Sequence, residues 1–141
     1  MLSDARKREV VERARAFVGT PFRHQGRDKK KGVDCLGLPI LIAKDMGLVW
    51  QDWIGYDQFR ADQKLVRKGL KEVLERNNSY DLGSIILFDG GNGMPHVAIV
   101  ADGGAPYSLI HSHAERKKVV EAVFDVNWVK RVRGKYSFRE L

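Results

Sequence analysis

The sequence has a single cysteine, Cys35, which excludes a disulfide within the chain and gives no indication of an oxidising compartment. No run of about eighteen apolar residues is present, so we expect no transmembrane helix. The first residues lack the apolar segment of a signal peptide. Zinc-finger and RNA-recognition signatures are also missing. These absences argue against the disulfide-stabilised, membrane-spanning and common nucleic-acid-binding classes.

The size and composition fit one globular domain over residues 1–141. Hydrophobic residues make up 43% of the chain, which is enough for a buried core. The 25 Lys and Arg residues exceed the 18 Asp and Glu residues, and the formal charge is +7. A basic surface favours anionic partners. Because the basic residues are spread along the chain, we expect weak electrostatic steering and no specific nucleic-acid binding.

The periodicity of the apolar residues changes from helical to strand-like about half way along the chain. Helices are predicted at residues 3–18, 34–46 and 62–76. An aromatic segment before the third helix contains Trp50, Trp53, Tyr56 and Phe59. Strands are predicted at residues 84–88, 96–101, 107–111, 119–124 and 131–138. Helices followed by strands predict an α+β fold in which the helices pack on an antiparallel sheet.

Cys35 lies where a long basic loop meets the second predicted helix. Asp34 is a suitable N-cap, which places the thiol at a helix N-terminus. The backbone N–H groups and the helix dipole there favour the thiolate, the form that attacks carbonyl carbons. Pro39 cannot donate to the carbonyl of Cys35, so a helix that starts later is an alternative. A buried structural cysteine is the alternative to a nucleophile.

A hairpin is predicted to bring two histidines together. With Gly103 and Gly104 as a two-residue turn, His96 faces His111 across the strands, with Cβ atoms about 5 Å apart. A one-residue slip would turn one histidine to the other face. His113 lies two residues after His111, so its side chain is expected on the same face of the strand. It is the alternative partner of His96.

A thiol, a base and an orienting group are the components of a thiol hydrolase. In this hypothesis His96 takes the proton of Cys35, and His111 holds the tautomer of His96. A metal site built from Cys35, His96, His111 and His113 is an alternative, because these side chains are acceptable zinc ligands.

Four blocks of the sequence resemble the NlpC-type cell-wall peptidases. They are Gly19-Thr20-Pro21-Phe22-Arg23-His24-Gln25-Gly26, Gly32-Val33-Asp34-Cys35-Leu36-Gly37-Leu38, Pro95-His96-Val97-Ala98-Ile99-Val100 and Leu109-Ile110-His111. The resemblance is greatest to the branch found in phage tails and prophage-like particles, in which Trp128 and the Tyr136-Ser137-Phe138-Arg139 ending are also familiar. The likeness covers nearly the whole chain.

The resemblance implies a papain-like fold and a cysteine endopeptidase with a Cys-His-His triad. It makes Cys35 the nucleophile, His96 the base and His111 the orienting residue, with no cofactor and no metal. The substrate would be the stem peptides of peptidoglycan, cleaved between γ-D-glutamyl and a diamino acid. Further candidates for substrate or oxyanion contacts are Phe22, His24, Gln25, Asp34 and His113.

The resemblance also implies a place of action. The chain would be made in the bacterial cytoplasm, join a phage-like tail with other tail or hub proteins, and open the wall locally during particle entry, without membrane insertion. A catalytically weak or inactive tail-tip component is an alternative, since Phe22 stands where many members have a tyrosine. An amidase or acyl transferase would use the same groups.

Overall fold

The computed structural model describes residues 2–52 and 63–141. Trp53, Tyr56 and Phe59 of the predicted aromatic segment, and the first residue of the third predicted helix, lie outside these ranges. The helices are α1 (Asp4–Arg15), α2 (Gly37–Asp45), α3 (Gln63–Val73) and α4 (Val126–Val129). The strands are β1 (Arg27–Asp28), β2 (Gly32–Val33), β3 (Glu75–Arg76), β4 (Ile85–Asp89), β5 (Pro95–Ala101), β6 (Ser108–His113), β7 (Lys118–Val123) and β8 (Val132–Ser137).

The predicted α+β class is confirmed. Six strands form one antiparallel sheet in the order β3-β8-β4-β5-β6-β7, and β1 and β2 form a separate antiparallel ribbon. This ribbon lies in the stretch that was predicted as a loop. Among the described residues, no helix has the length and apolarity needed to cross a membrane.

Alternation along the central strands builds a core on each face of the sheet. Ile85 and Leu87 of β4 face a large apolar cluster that includes residues of α1, α2 and α3. Ile86 and Phe88 face a smaller cluster on the opposite side. Both clusters are almost fully buried, so the sheet forms a rigid platform between them.

Helix α2 begins at Gly37, later than the start at Asp34 that the N-cap pattern predicted. Asp34 still caps this end, because its Oδ1 accepts the backbone N–H groups of Leu36 at 3.2 Å and Gly37 at 2.8 Å. The later start explains why Pro39 is tolerated. It lies in the first turn, where an N–H group has no partner within the helix.

The predicted register of the β5–β6 hairpin is wrong by two residues. Ala101 pairs with Ser108, and Val100 pairs with Leu109, because the connection is a six-residue loop and not a Gly103-Gly104 turn. A shift of two residues preserves the side-chain parity of a strand. His96 and His111 therefore keep to one face, although they are diagonal neighbours and not a direct pair.

The contact between Gly37 and the preceding loop yields a prediction about stability. A Cβ at Gly37 would collide with the carbonyl oxygen of Gly26, whereas one at Gly47 would meet open space at φ +67°. We expect Gly37→Ala to lower the free energy of unfolding by about 3 kcal/mol through overpacking. Gly47→Ala should cost only the left-handed strain, about 1 kcal/mol. Urea denaturation measures both, and an equal loss in the two variants would contradict the close packing.

Candidate active site

The thiol of Cys35 lies between β2 and α2 and is half-buried. Burial and the adjacent Asp34 carboxylate raise the pKa of Cys35 to about 12, although the backbone N–H groups of Val97 and of Cys35 itself act in the opposite direction. The surroundings of the resting thiol therefore oppose the thiolate, in contrast to the prediction from the helix N-terminus. The helix starts two residues beyond the thiol, and the nearest charge is negative.

The side chains of His96 and His111 form a direct hydrogen bond. Nε2 of His96 lies 2.6 Å from Nδ1 of His111, and the ring centroids are 4.9 Å apart. One nitrogen must donate and the other accept, so the bond links the tautomers of the two rings. The prediction that His96 and His111 meet is confirmed, although the β5–β6 register from which it was made is wrong by two residues.

The surroundings of both imidazoles favour the neutral form. Burial, followed by the charges of His111 and His113, holds the pKa of His96 well below its usual value. Burial, followed by the charges of His113 and Arg116, lowers the pKa of His111 to about 3. A neutral imidazole has a lone pair that can accept a proton, which is what a general base requires.

The ring of His113 contacts the rings of His96 and His111, but the hydrogen bond of its Nδ1 is made elsewhere. Its ring centroid lies 5.8 Å from that of His96 and 5.2 Å from that of His111. Its Nδ1 accepts the backbone N–H of Arg116 at 3.3 Å, which ties the ring to the β6–β7 turn. The structure therefore pairs His111, rather than His113, with His96.

Trp128 is a component of the site that the strand and hairpin patterns did not predict. Its ring stacks on His96 with a centroid distance of 5.6 Å and an interplanar angle of 30°. It meets His111 edge-on at 5.4 Å and packs against Phe88 at 5.1 Å. The N-cap Asp125 holds the backbone N–H of Trp128 at 3.1 Å. Trp128 thus covers one side of the histidine pair.

The carboxylate of Asp34 accepts hydrogen bonds from several groups of the protein itself. It is buried and accepts the backbone N–H of Gln25 at 2.9 Å and Nη1 of Arg27 at 3.0 Å, besides the capping bonds to Leu36 and Gly37. Arg27 also donates from Nε to Asp52 at 2.9 Å. Asp34 therefore serves to hold the loop against the start of α2.

A cleft of about 490 Å³ opens over Cys35 and His96. Of the other candidates, Phe22, His24, Asp34 and His113 contribute to its lining. His111 lies behind His96, and Gln25 lies outside the lining. Phe22 supplies an apolar surface without a hydroxyl group, and His24 supplies a polar ring.

The metal-site alternative has no support in the geometry. Within residues 2–52 and 63–141, no three His, Cys, Asp or Glu side chains are arranged to hold a metal ion. His96 and His111 direct a nitrogen each at the other, which removes those nitrogens as ligands.

The stacking of Trp128 on His96 predicts an effect on proton binding. Trp128→Ala should expose His96 further to water and raise its pKa toward the usual value of 6.5. Between pH 5 and 6, roughly, His96 should become charged in this variant while it stays neutral in the wild type. Trp128→Phe keeps an aromatic cover and should preserve the low pKa. Titration of the imidazole by NMR measures this, and an unchanged pKa in the alanine variant would contradict the role.

Comparison with known proteins identifies the family. The sequence model of the NlpC/P60 family matches residues 19–137. No curated protein sequence matches the chain. A solved NLP/P60-family protein from Staphylococcus aureus, similar to a lipoprotein, has a TM-score of 0.66 and 15% identity, over 96% of this chain and 42% of its own. The NlpC/p60 domain of the peptidoglycan hydrolase SagA has a TM-score of 0.59 and 22% identity, over 93% and 97%. An NlpC/P60-family protein from Bacillus cereus has a TM-score of 0.66 and 20% identity, over 92% and 39%.

The structural likeness and the family match support different conclusions. Identities of 15–22% show a common fold only, and the chain spans less than half the length of the Staphylococcus aureus and Bacillus cereus proteins. The family model, in contrast, covers most of the chain and includes Cys35, His96, His111 and Trp128. With its papain-like arrangement of helices on an antiparallel sheet, this chain belongs to the NlpC/P60 family of cysteine peptidases and peptidoglycan hydrolases.

Proposed function

We propose that the protein is a cysteine endopeptidase that hydrolyses the stem peptides of peptidoglycan, at the bond between γ-D-glutamyl and a diamino acid. Cys35 is the nucleophile, His96 the general base and His111 the residue that orients it. The observation that carries this proposal is the 2.6 Å contact between His96 and His111, with His96 and Cys35 in one cleft. Membership of the NlpC/P60 family supports the class of reaction.

The resting site holds a neutral thiol and a neutral imidazole, so proton transfer accompanies attack. In the productive tautomer, Nε2–H of His96 donates to Nδ1 of His111, which leaves the lone pair on Nδ1 of His96 for the thiol proton. The sulfur of Cys35 then bonds to the carbonyl carbon. His96 returns the proton to the amine that leaves, and a thioester remains. Water, deprotonated by His96, cleaves the thioester and regenerates the thiol.

The negative oxygen of the tetrahedral intermediate needs donors close to Cys35. The backbone N–H of Cys35 lies beside the thiol of the same residue, and His24 is among the residues that line the cleft. Phe22 has no hydroxyl to add. The loss of one such donor costs on the order of a hundredfold in rate. We therefore infer that turnover is slow compared with enzymes that have a hydroxyl there.

The rim of the cleft carries charges that suit a stem peptide. Glu115 and Arg131 are exposed and contribute to the lining, and the guanidinium carbon of Arg131 lies 5.5 Å from the ring centroid of Trp128. A stem peptide presents carboxylates to the arginine and an amine to the glutamate. These two side chains would orient the substrate over Cys35.

We place this activity in a phage-like tail, where the enzyme would act with tail or hub proteins to open the wall during entry. The sequence blocks shared with that branch support this setting. The second candidate is a tail component with little or no activity. The raised pKa of Cys35 and the missing hydroxyl at Phe22 favour it. An amidase or acyl transferase would use the same groups on another bond.

Digestion of purified peptidoglycan distinguishes these functions. The wild-type chain should release new stem fragments, whose masses in mass spectrometry identify the bond, and Cys35→Ala should release none. Because Cys35 is the single thiol, alkylation of the wild type should have the same effect. Absence of fragments with the wild type, when circular dichroism shows a folded chain, would refute hydrolysis by the isolated protein.

The histidine pair predicts an order of effects on kcat/KM. His96→Ala should lower the rate by about 10²- to 10⁴-fold, because the base is lost. His111→Ala should have a smaller effect, and His111→Asn should recover part of the loss, since its amide oxygen can accept from Nε2–H of His96. His113→Ala should change the rate least. A greater loss in His113→Ala than in His111→Ala would make His113 the orienting residue.

A further inference from the structure

One edge of the cleft continues into a row of exposed cations, which we call the basic ridge. It consists of residues from the strip before β1 (residues 20–26), the β1–β2 turn, the β6–β7 turn and the first position of β7: Arg23, Lys29, Lys30, Lys31, Arg116, Lys117 and Lys118. Residues 23–31 and 114–118, which include these cations, carry two carboxylates, Asp28 and Glu115. The ridge therefore accounts for most of the formal charge of +7.

Hydrogen bonds and a β-bridge hold the segments of the basic ridge side by side. The hydroxyl of Thr20 donates to the carbonyl of Lys29 at 2.9 Å, which ties the β1–β2 turn to the strip. The N–H of Phe22 donates to the carbonyl of Lys117 at 2.9 Å, and Pro21 bridges Lys118. The segments are distant in sequence, so the fold concentrates charge that is spread along the chain.

The cations of the basic ridge differ from those of α1 in their partners. On α1, Arg8 pairs with Asp102 at 2.6 Å, and Arg15 pairs with Glu121 at 2.9 Å. Within the part of the chain that the structure describes, no ridge cation forms an ion pair with a carboxylate. Asp28 instead accepts the backbone N–H groups of Lys30 and Lys31, each at 2.8 Å. The ridge charge is therefore available to an external anion.

The basic ridge begins where the cleft ends. Phe22 lines the cleft and Arg23 follows it; His113, Ala114 and Glu115 line the cleft and Arg116 follows them. A polymer held over Cys35 that leaves the cleft by this edge crosses the ridge. The ligand of the ridge and the ligand of the cleft are thus expected to be parts of one molecule.

We propose that the basic ridge binds the carboxylates of peptidoglycan stem peptides next to the one in the cleft, and so favours the intact polymer over short fragments. This inference rests on the proposed hydrolysis of stem peptides. Five of the seven cations are lysines, which act as point charges and suit repeated carboxylates without a fixed geometry. The ridge has no exposed aromatic residue on which a nucleic-acid base could stack.

Exposure makes the interaction of the ridge sensitive to salt. Charges at a surface are screened over about 8 Å at physiological ionic strength. Affinity for the polymer should therefore fall steeply as salt is added. The chemical step at Cys35 and His96, which are in part shielded from solvent, should respond less.

Binding to sacculi in the Cys35→Ala background tests the ridge without hydrolysis. In a co-sedimentation assay, the triple change Lys30→Gln, Lys31→Gln and Lys118→Gln should weaken binding at least tenfold and reduce its salt dependence. The matched control changes three exposed lysines on α2 and α3, Lys44→Gln, Lys68→Gln and Lys71→Gln, and should alter binding less than twofold. Sacculi whose carboxylates have been amidated should bind the parent protein as weakly as untreated sacculi bind the ridge variant.

Three results would overturn this proposal. They are unchanged binding in the ridge variant, loss of binding only when phosphodiester polymers are stripped from the wall, and tighter binding to DNA than to sacculi. Hydrolysis of a soluble stem peptide by the active enzyme is the separate readout for the cleft. It should be unchanged in the ridge variant. Loss of ridge binding with no cleavage of the soluble peptide by the wild type would refute the hydrolase and retain the ridge.

Discussion

The carboxylate of Asp34 organises the segment on which the site depends. It is buried and accepts donors from Gln25 and Arg27 on one side and from Leu36 and Gly37 on the other. A buried ion pair that loses one partner costs about 3–5 kcal/mol, so the loop and the start of α2 are held as one unit. Cys35 lies inside this unit. Its position therefore depends on the Asp34 interactions, and the same carboxylate adds to the effect of burial in raising the pKa of the thiol.

Local signals predicted much of the fold. A helix was predicted from residue 3, and the Oγ of Ser3 caps α1 by accepting the backbone N–H of Arg6 at 3.2 Å. The change from helical to strand-like periodicity marked the sheet correctly because alternate residues face two cores. The β1–β2 ribbon could not be predicted in this way. Its strands are two residues long and are held by contacts with Pro21 and Arg23, not by a pattern of their own.

The part of the candidate site that depends only on which face of a strand a side chain occupies was predictable. His96 and His111 meet although the turn was assigned incorrectly, because a register error of two leaves both on one face. The protonation of Cys35 was not predictable, since a helix N-terminus and a neighbouring carboxylate act in opposite directions and burial decides between them. Trp128 reaches the site from a short helix after β7, so no strand pattern indicates its contact with His96.

The protonated state of Cys35 has a consequence for chemical durability. Peroxides and other oxidants attack the thiolate far faster than the thiol, and the chain has no second cysteine to trap a sulfenic acid as a disulfide. Because the pKa of the Cys35 thiol is raised to about 12, only a very small fraction of it is thiolate between turnovers. The sulfur becomes strongly nucleophilic only while His96 removes its proton. We therefore expect the resting thiol to be oxidised slowly, even without a reducing partner protein.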